Sequence, residues 1–517
     1  MNYAVSDIIS KLSGVASVLN QKELSVTGVS YHSGQVKPGD IFVAISGYKL
    51  DGHDFIDDAV RKGAVAVVGQ QAVDTEAPMI VVVDSRVALA EISHLMYDKP
   101  DADLCIIGIT ASNGKTTTSF MTDHLLSARY KTGLIGTVVV KDGESVVSAE
   151  LTTPQSKDLI ELLAKMRDNN CSHVTMEVSS AGLELKRVLG IKYSIATFNN
   201  VSREHIDFHG SFENYWYWKS SLIRELDSDA IAILNADEPK IKDLQHQTKA
   251  QVVTYSLKGD PDADFLISEV DLSTTNTSYR LQSLKPVTIG SKKIPALDLR
   301  LKLGVLGLHN IYNSTVAVII ALVAGVEPEL IQQRLPGFTG VERRFQLIYD
   351  GEFAVIDDHF ANAGNIDITL ETLNMMPYNN LILVAAIRGS RGVIVNTENA
   401  ETVCKWASKL KLTEIIVTDS AEFTGEKDLV TDAERKAFIS ILEENGLKVE
   451  YHKKLESATD SALKKVCKGD IILLAGCQGM DSGAHVILPK VAATRPDAEQ
   501  KKILAPLADR VAGNTLT

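Results

Sequence analysis

The chain has 517 residues, too many for one hydrophobic core and enough for about three or four domains of ordinary size. Its 45% hydrophobic and 23% charged residues are those of a globular protein, and the net charge of −13 argues against a mainly nucleic-acid or anionic-membrane partner, although a local basic pocket remains compatible with it. No apolar run approaches membrane-spanning length. The N-terminal stretch Met1-Asn-Tyr-Ala-Val-Ser-Asp7 lacks the basic and apolar regions of a secretory signal. Five widely spaced cysteines, Cys105, Cys171, Cys404, Cys467 and Cys477, suit reduced thiols in a cytoplasmic protein.

In chain order, residues 1–98 contain two strand-like runs, 39–45 and 64–69, around a charged helical stretch, which predicts a small α/β unit. The polar, proline-containing segment Lys99-Pro-Asp-Ala-Asp103 reads as a linker. Over 99–335, apolar runs such as 104–109, 173–178 and 230–234 alternate with helical stretches, the pattern of a mostly parallel sheet with crossover helices. A second punctuated joint, Leu335-Pro-Gly-Phe-Thr-Gly340, precedes a third α/β block over 336–517, with buried-strand candidates at 380–386, 414–418 and 470–475.

The central block carries the chemistry. Leu104-Cys-Ile-Ile-Gly-Ile109 is followed by Thr110-Ala-Ser-Asn-Gly-Lys-Thr-Thr117 and then by Met121, Leu125 and Leu126 at helical spacing. A strand, a glycine turn and a helix N-terminus aim backbone N–H groups at one point, which suits a polyphosphate. Lys115 would reach the outer phosphates and the Thr116 hydroxyl would sit on Mg²⁺. Gly108 stands one residue too far from Gly114 for the common P-loop spacing, so an ordinary strand-to-helix turn is the plain alternative. Glu177 closes a strand at the carboxyl edge of the sheet, where a carboxylate can complete a metal site or can simply be solvated. In Phe198-Asn-Asn-Val-Ser-Arg-Glu-His-Ile-Asp-Phe-His-Gly210, His205 is either a metal ligand or a satisfied loop histidine.

These stretches, in this order, resemble the Mur ligases, specifically the MurE type. Thr27-Gly-Val-Ser30, Val36-Lys-Pro-Gly-Asp-Ile-Phe-Val-Ala44, Asp51-Gly-His-Asp-Phe55 and Lys62-Gly-Ala-Val-Ala-Val67 are similar to the family's uridine-binding domain. Thr110 to Thr117 is similar to its phosphate loop, which explains the unusual spacing. The resemblance implies a three-domain α/β architecture with a central P-loop-like, mostly parallel sheet and a Rossmann-like C-terminal domain. It implies ATP and Mg²⁺, a UDP-linked muramoyl peptide or similar carboxylate as the acid, an amino acid or amine as acceptor, and a cytoplasmic monomer of peptidoglycan biosynthesis. By the same resemblance, Asn113, Gly114, Lys115, Thr116, Thr117, Asn310, Arg344 and Asp358 serve ATP. Ser33, Thr152, Thr153, Ser179 and Arg187 hold the acid. Thr116, Glu177, His205 and a carbamylated Lys219 hold metal, and Lys115, Glu177, His205 and Lys219 carry the catalysis.

The match weakens in the third block. The alignment that keeps Asp358 puts Ala361 where the family has a histidine, with His359 nearby. Family members that add diaminopimelate carry Asp-Asn-Pro-Arg, whereas Thr418-Asp-Ser-Ala-Glu-Phe423 here has no arginine, and Ala475-Gly-Cys-Gln-Gly-Met480 replaces Ala-Gly-Lys-Gly-His-Glu. Each lost charge-assisted contact is worth about 1.5–3 kcal/mol, so the expected acceptor is not diaminopimelate. Arg388 or Arg391 is the candidate replacement. Gly34 and Ala181 depart from the family's pattern on the acid side. An amide ligase of this architecture acting on another acid and amine, and a non-catalytic nucleotide-binding homologue, are the alternatives.

Overall fold

The computed structural model describes residues 2–47, 50–202, 206–273, 276–289, 292–508, 510 and 512–513. Three sheets carry the architecture. The first runs, edge to edge, Val15–Leu19, Met79–Val82, Ala66–Gly69, Asp40–Val43, Gly28–Ser30. Its pairs are parallel except the one between Val15–Leu19 and Met79–Val82.

Among the described residues the second sheet has eleven strands. Thr132–Ile135, His173–Glu177, Cys105–Thr110, Ile195–Phe198, Ile231–Asn235, Gln251–Ser256 and Phe265–Ser273 are successive parallel neighbours. Ile106 and Ile107 face opposite sides, as successive strand residues must. Ile107 packs with Met121 and Leu125 of the helix Lys115–Leu126 and with the apolar helix Leu308–Ala324, while Ile106 packs with Leu159 and Leu163 of Ser156–Asp168 and with Ile223 of Phe212–Arg224. Short antiparallel strands extend one edge, and Asn276–Ser283 with Leu297–Leu303 extend the other. That second extension was absent from the sequence reading, although Leu297–Leu303 alternates exposed and buried residues as a one-sided strand does.

The third sheet runs Gln346–Asp350, Ala354–Asp358, Ile471–Ala475, Leu381–Ala386, Glu414–Thr418, Lys448–His452, parallel except at the first pair. The joints between the sheets are packed. Asp101 is buried in the turn Pro100–Ala102, accepts a bond from the Lys192 amide at 2.9 Å and lies 3.4 Å from His94. Leu335, Phe338 and Val341 still belong to the core of the second sheet, whereas Phe345 belongs to that of the third.

Candidate active site

Because Cys105–Thr110 lies between His173–Glu177 and Ile195–Phe198 in parallel register, three carboxyl ends emerge at one edge, and the loop after the first turns there into the helix Lys115–Leu126. Gly114, at φ +86°, is that helix's N-cap residue. A Cβ there would lie 2.3 Å from Asn313 Oδ1, so only glycine lets Leu308–Ala324 pack beneath the loop. The amide of Asn113 donates to Asn200 Oδ1 at 2.9 Å, and Asn200 Nδ2 returns a bond to the Asn113 carbonyl at 2.8 Å. Lys115 Nζ donates to the carbonyls of Ala111 and Ser112 at 2.8 and 2.9 Å. Residues 112–117 line a cavity of about 900 Å³.

Glu177 is fully buried behind this loop. Thr116 Oγ1 and Thr137 Oγ1 donate to its Oε2 at 3.0 and 2.9 Å, and the Thr137 amide donates to Oε1 at 2.8 Å. A buried carboxylate joined to a loop hydroxyl is a hard-oxygen donor set that fits Mg²⁺, which takes few protein ligands and fills its shell with phosphate oxygens and water. Among the described residues no group of three or more His, Cys, Asp or Glu is gathered for a metal. His205 lies outside the described residues.

Of the residues that the resemblance assigns to the acid, Thr153 and Ser179 meet next to Glu177. Thr153 is buried, and its hydroxyl donates to the Glu177 carbonyl and to Ser179 Oγ, both at 3.0 Å. Arg187 Nη1 donates to the Thr153 carbonyl at 2.9 Å, while its Nε is buried without a hydrogen-bond partner. Burial, and then Arg86, lower the Arg187 guanidinium below its ordinary value. Thr152, Thr153, Ser179 and Arg187 all line the cavity. Ser33 is not on that wall; it opens the turn Ser33–Gln35 in the first block and donates to Asp58.

Lys219, on Phe212–Arg224, is 2% exposed; its Nζ lies 3.3 Å from Thr110 Oγ1 and 5.1 Å from the centre of the Tyr215 ring, at the cavity. Asn310 is buried; its Nδ2 donates to the Leu306 carbonyl at 2.7 Å and its Oδ1 accepts from Asn313 Nδ2 at 3.0 Å. The wall there is formed by His309, Tyr312 and Asn313.

The third sheet supplies the opposite wall. Of two adjacent arginines, Arg343 turns inward to the carbonyls of Gly476 and Cys477 and to Asp357 and Asp481, whereas Arg344 faces the cavity. Burial lowers the Arg344 guanidinium, with Arg343 acting in the same sense against the raising effect of Asp358 and Glu177. Asp358, at the cavity, accepts from the Phe345 amide at 2.8 Å and from Thr369; burial raises its carboxyl despite these bonds. Asn365 donates to Asn113, joining this wall to the loop before Lys115. Arg388 Nη1 donates to the Ala361 carbonyl and its Nε is buried without a partner, whereas Arg391 is exposed beside Asp428.

Comparison with known proteins agrees with this geometry. Family models match residues 25–97 (Mur ligase family, catalytic domain), 109–321 (Mur ligase middle domain) and 343–478 (Mur ligase, glutamate ligase domain). The UDP-N-acetylmuramoyl-L-alanyl-D-glutamate–2,6-diaminopimelate ligase of Bacillus licheniformis is 31% identical over 483 residues, 91% of this chain and 93% of the relative. The chain belongs to the Mur ligase family. A solved structure of a ligase of the same name superposes with a TM-score of 0.65 at 22% identity, covering 92% of this chain and 93% of that one. The Thermotoga maritima MurF ligase in complex with ADP gives 0.61 at 19% identity, with 93% and 99% covered.

Within this Mur ligase fold, the cavity also takes in residues that motif reading passed over. Asn200 was visible only as part of a polar run, and its role depends on a loop 87 residues earlier. Asn313, three residues after Asn310, lies against Gly114, where an added Cβ would meet its Oδ1 at 2.3 Å. Thr137 carried no local signal. Among the described residues no helix is long and apolar enough to cross a membrane.

Proposed function

We propose that the chain is an ATP-dependent ligase of MurE type, which joins an amino acid other than diaminopimelate to the free carboxylate of a UDP-N-acetylmuramoyl peptide. One observation carries the reading: a phosphate loop, an arginine with an unpartnered buried Nε beside paired threonines, and the third-sheet residues Arg344 and Asp358 border a single cavity. The name and identity of the Bacillus relative support the acid.

The substrate carboxylate attacks the γ-phosphorus of ATP, ADP leaves, and the amine then displaces phosphate from the acyl phosphate. Two anions must approach, so the barrier is largely electrostatic. Lys115, with Asn113, Gly114, Thr116 and Thr117, takes the phosphates; Arg344 adds charge from the opposite wall; Asn310 and Asp358 serve the adenosine end. Arg187, Thr152, Thr153 and Ser179 hold the acid, and Ser33 its nucleotide end. Glu177 and Thr116 would hold one Mg²⁺, with His205 and Lys219 serving a second. Mg²⁺, when bound, neutralises charge on the phosphate oxygens. Carbamylation would make Lys219 an anionic oxygen donor. Positioning the amine requires the third domain to close on the second, and the reaction is assigned to a cytoplasmic monomer.

The acceptor follows from charge. Asp419, in the segment that replaces Asp-Asn-Pro-Arg, is already held by Arg435 at 2.5 Å and by the Tyr451 hydroxyl at 2.8 Å. Arg388, with its buried Nε, is favoured over Arg391 for reading the acceptor carboxylate. The test is incubation with ATP, Mg²⁺, UDP-N-acetylmuramoyl-Ala-Glu and pooled amino acids, with and without diaminopimelate, followed by mass spectrometry. A gain of one amino acid with stoichiometric phosphate release supports the reading and names the acceptor. A gain only in the presence of diaminopimelate overturns the acceptor, and no gain overturns the acid.

A further inference from the structure

The reaction has an unmet requirement: the acceptor arrives as an ammonium ion and must lose protons as the amide forms. Several groups at the cavity wall are cationic, already held in fixed hydrogen bonds, or desolvated imidazole. Lys115, Arg187 and Arg344 are cationic. Glu177 is engaged by two hydroxyls and an amide, and Asp358 by Phe345 and Thr369. Burial, reinforced by Arg344, Arg343 and Arg388, drives His359 well below the usual imidazole range.

One group at the cavity is built differently. The short helix Ser180–Glu184 follows directly on Val178 and Ser179, so Ser180 stands beside the serine that bonds Thr153. Ser180 and Glu184 are four residues apart and therefore share a helix face. His209, its side chain wholly buried, is seated between them: Nε2 lies 2.9 Å from Ser180 Oγ, and Nδ1 lies 2.7 Å from Glu184 Oε2. The Phe208 and Tyr215 rings flank the imidazole, with centroids 4.8 and 5.4 Å away, and Asn214 donates to the His209 carbonyl at 3.1 Å. Ser180 and His209 both line the cavity with Lys115 and Arg187.

We infer that Ser180, His209 and Glu184 form a proton relay serving the incoming amine, an inference that rests on the ligase reading above. One ammonium proton passes to Ser180 Oγ while the Ser180 hydroxyl proton passes to His209 Nε2, which frees the amine. As its nitrogen bonds to the acyl carbon, the carbon–oxygen bond to phosphate breaks, and phosphate leaves with the electron pair and takes the second N–H proton. Glu184 balances the imidazolium charge through Nδ1. Ser180 is the group that meets the amine; His209 and Glu184 are positioned behind it.

A buried histidine held between two polar neighbours would serve packing alone, and the nucleophile separates the two roles. Hydroxylamine is neutral at neutral pH and attacks an acyl phosphate without a base. The enzyme is given ATP, Mg²⁺ and UDP-N-acetylmuramoyl-Ala-Glu, with either pooled amino acids or hydroxylamine, and peptide product and hydroxamate are measured. In His209→Gln, and equally in Ser180→Ala, peptide formation is expected to fall about 10²–10⁴-fold, while hydroxamate forms near the wild-type rate. Hydroxamate from the wild type with parallel losses of both products in His209→Gln, or no loss of peptide product, overturns the relay alone. Absence of hydroxamate from the wild type overturns the ligase reading and the relay with it.

Discussion

Replacing Arg343 by alanine removes a guanidinium that is 3% exposed and bonded to two carbonyls, Asp357 and Asp481. Asp357 is fully buried, and truncating one partner of a buried ion pair costs about 3–5 kcal/mol because the other charge is stranded. Arg510 also holds Asp357, so the lower end of that range, about 3 kcal/mol, is expected here. Replacing Arg344 instead removes a side chain whose Nη1 reaches the Arg343 carbonyl at 3.3 Å and which faces the cavity. Stability should then change by about 0.5 kcal/mol or less, while the lost contact to phosphate, about 1.5–3 kcal/mol, lowers kcat/KM by roughly 10- to 150-fold. Hydrogen exchange read by mass spectrometry separates the two effects. In Arg343→Ala the amides of Ile471–Ala475 should exchange about 10²-fold faster while those of Cys105–Thr110 keep their protection; in Arg344→Ala both should be unchanged. Accelerated exchange in Arg344→Ala, or full protection in Arg343→Ala, would refute the assignment of one arginine to the fold and the other to the site.

Lys115→Ala should lower substrate-dependent phosphate release by about 10²-fold or more with the melting temperature preserved, and near-normal turnover would remove the phosphate-loop assignment. Lys219→Ala should lose activity that bicarbonate does not restore and that a small carboxylic acid does; full activity without additive would discard the carbamate. Glu434 braces the loop before the helix Val393–Ala407, accepting from the amides of Ser390, Arg391 and Gly392. Burial raises its carboxyl, but bonds from the amides of Thr431, Gly392 and Ser390 and from the Thr431 hydroxyl outweigh this and hold it at about 2. Its folded value is depressed, so its stabilisation is present above about 4.5 and is lost as pH falls from there towards about 2. Limited acid proteolysis near Arg391 should rise through that window in the wild type and lack that dependence in Glu434→Gln.

The α/β alternation and the strand–turn–helix around Gly114 were readable because their signals are local. Val/Ile/Leu runs bounded by turn residues make buried strands wherever they occur, and Gly114-Lys115-Thr116 needs only the strand before it and the helix after it. The same locality made Glu177 readable, since a carboxylate at a strand's carboxyl end is already at the ligand edge. Motif order along the chain carried the family, whereas no single motif did. Tertiary structure decided what depends on partners distant in sequence. Which arginine of the pair enters the core is set by Asp357, Asp481 and the Gly476 carbonyl, more than a hundred residues away in the last two cases. Gly114 is required by Asn313, and Glu177 is oriented by Thr137, neither of which local pattern ties to the loop. Ser180 and Glu184 share a face by helix periodicity, which sequence can supply; that His209 fills the space between them follows only from the packing of Phe212–Arg224 against that short helix, because chain folding alone brings a side chain 29 residues later within 2.9 Å of Ser180.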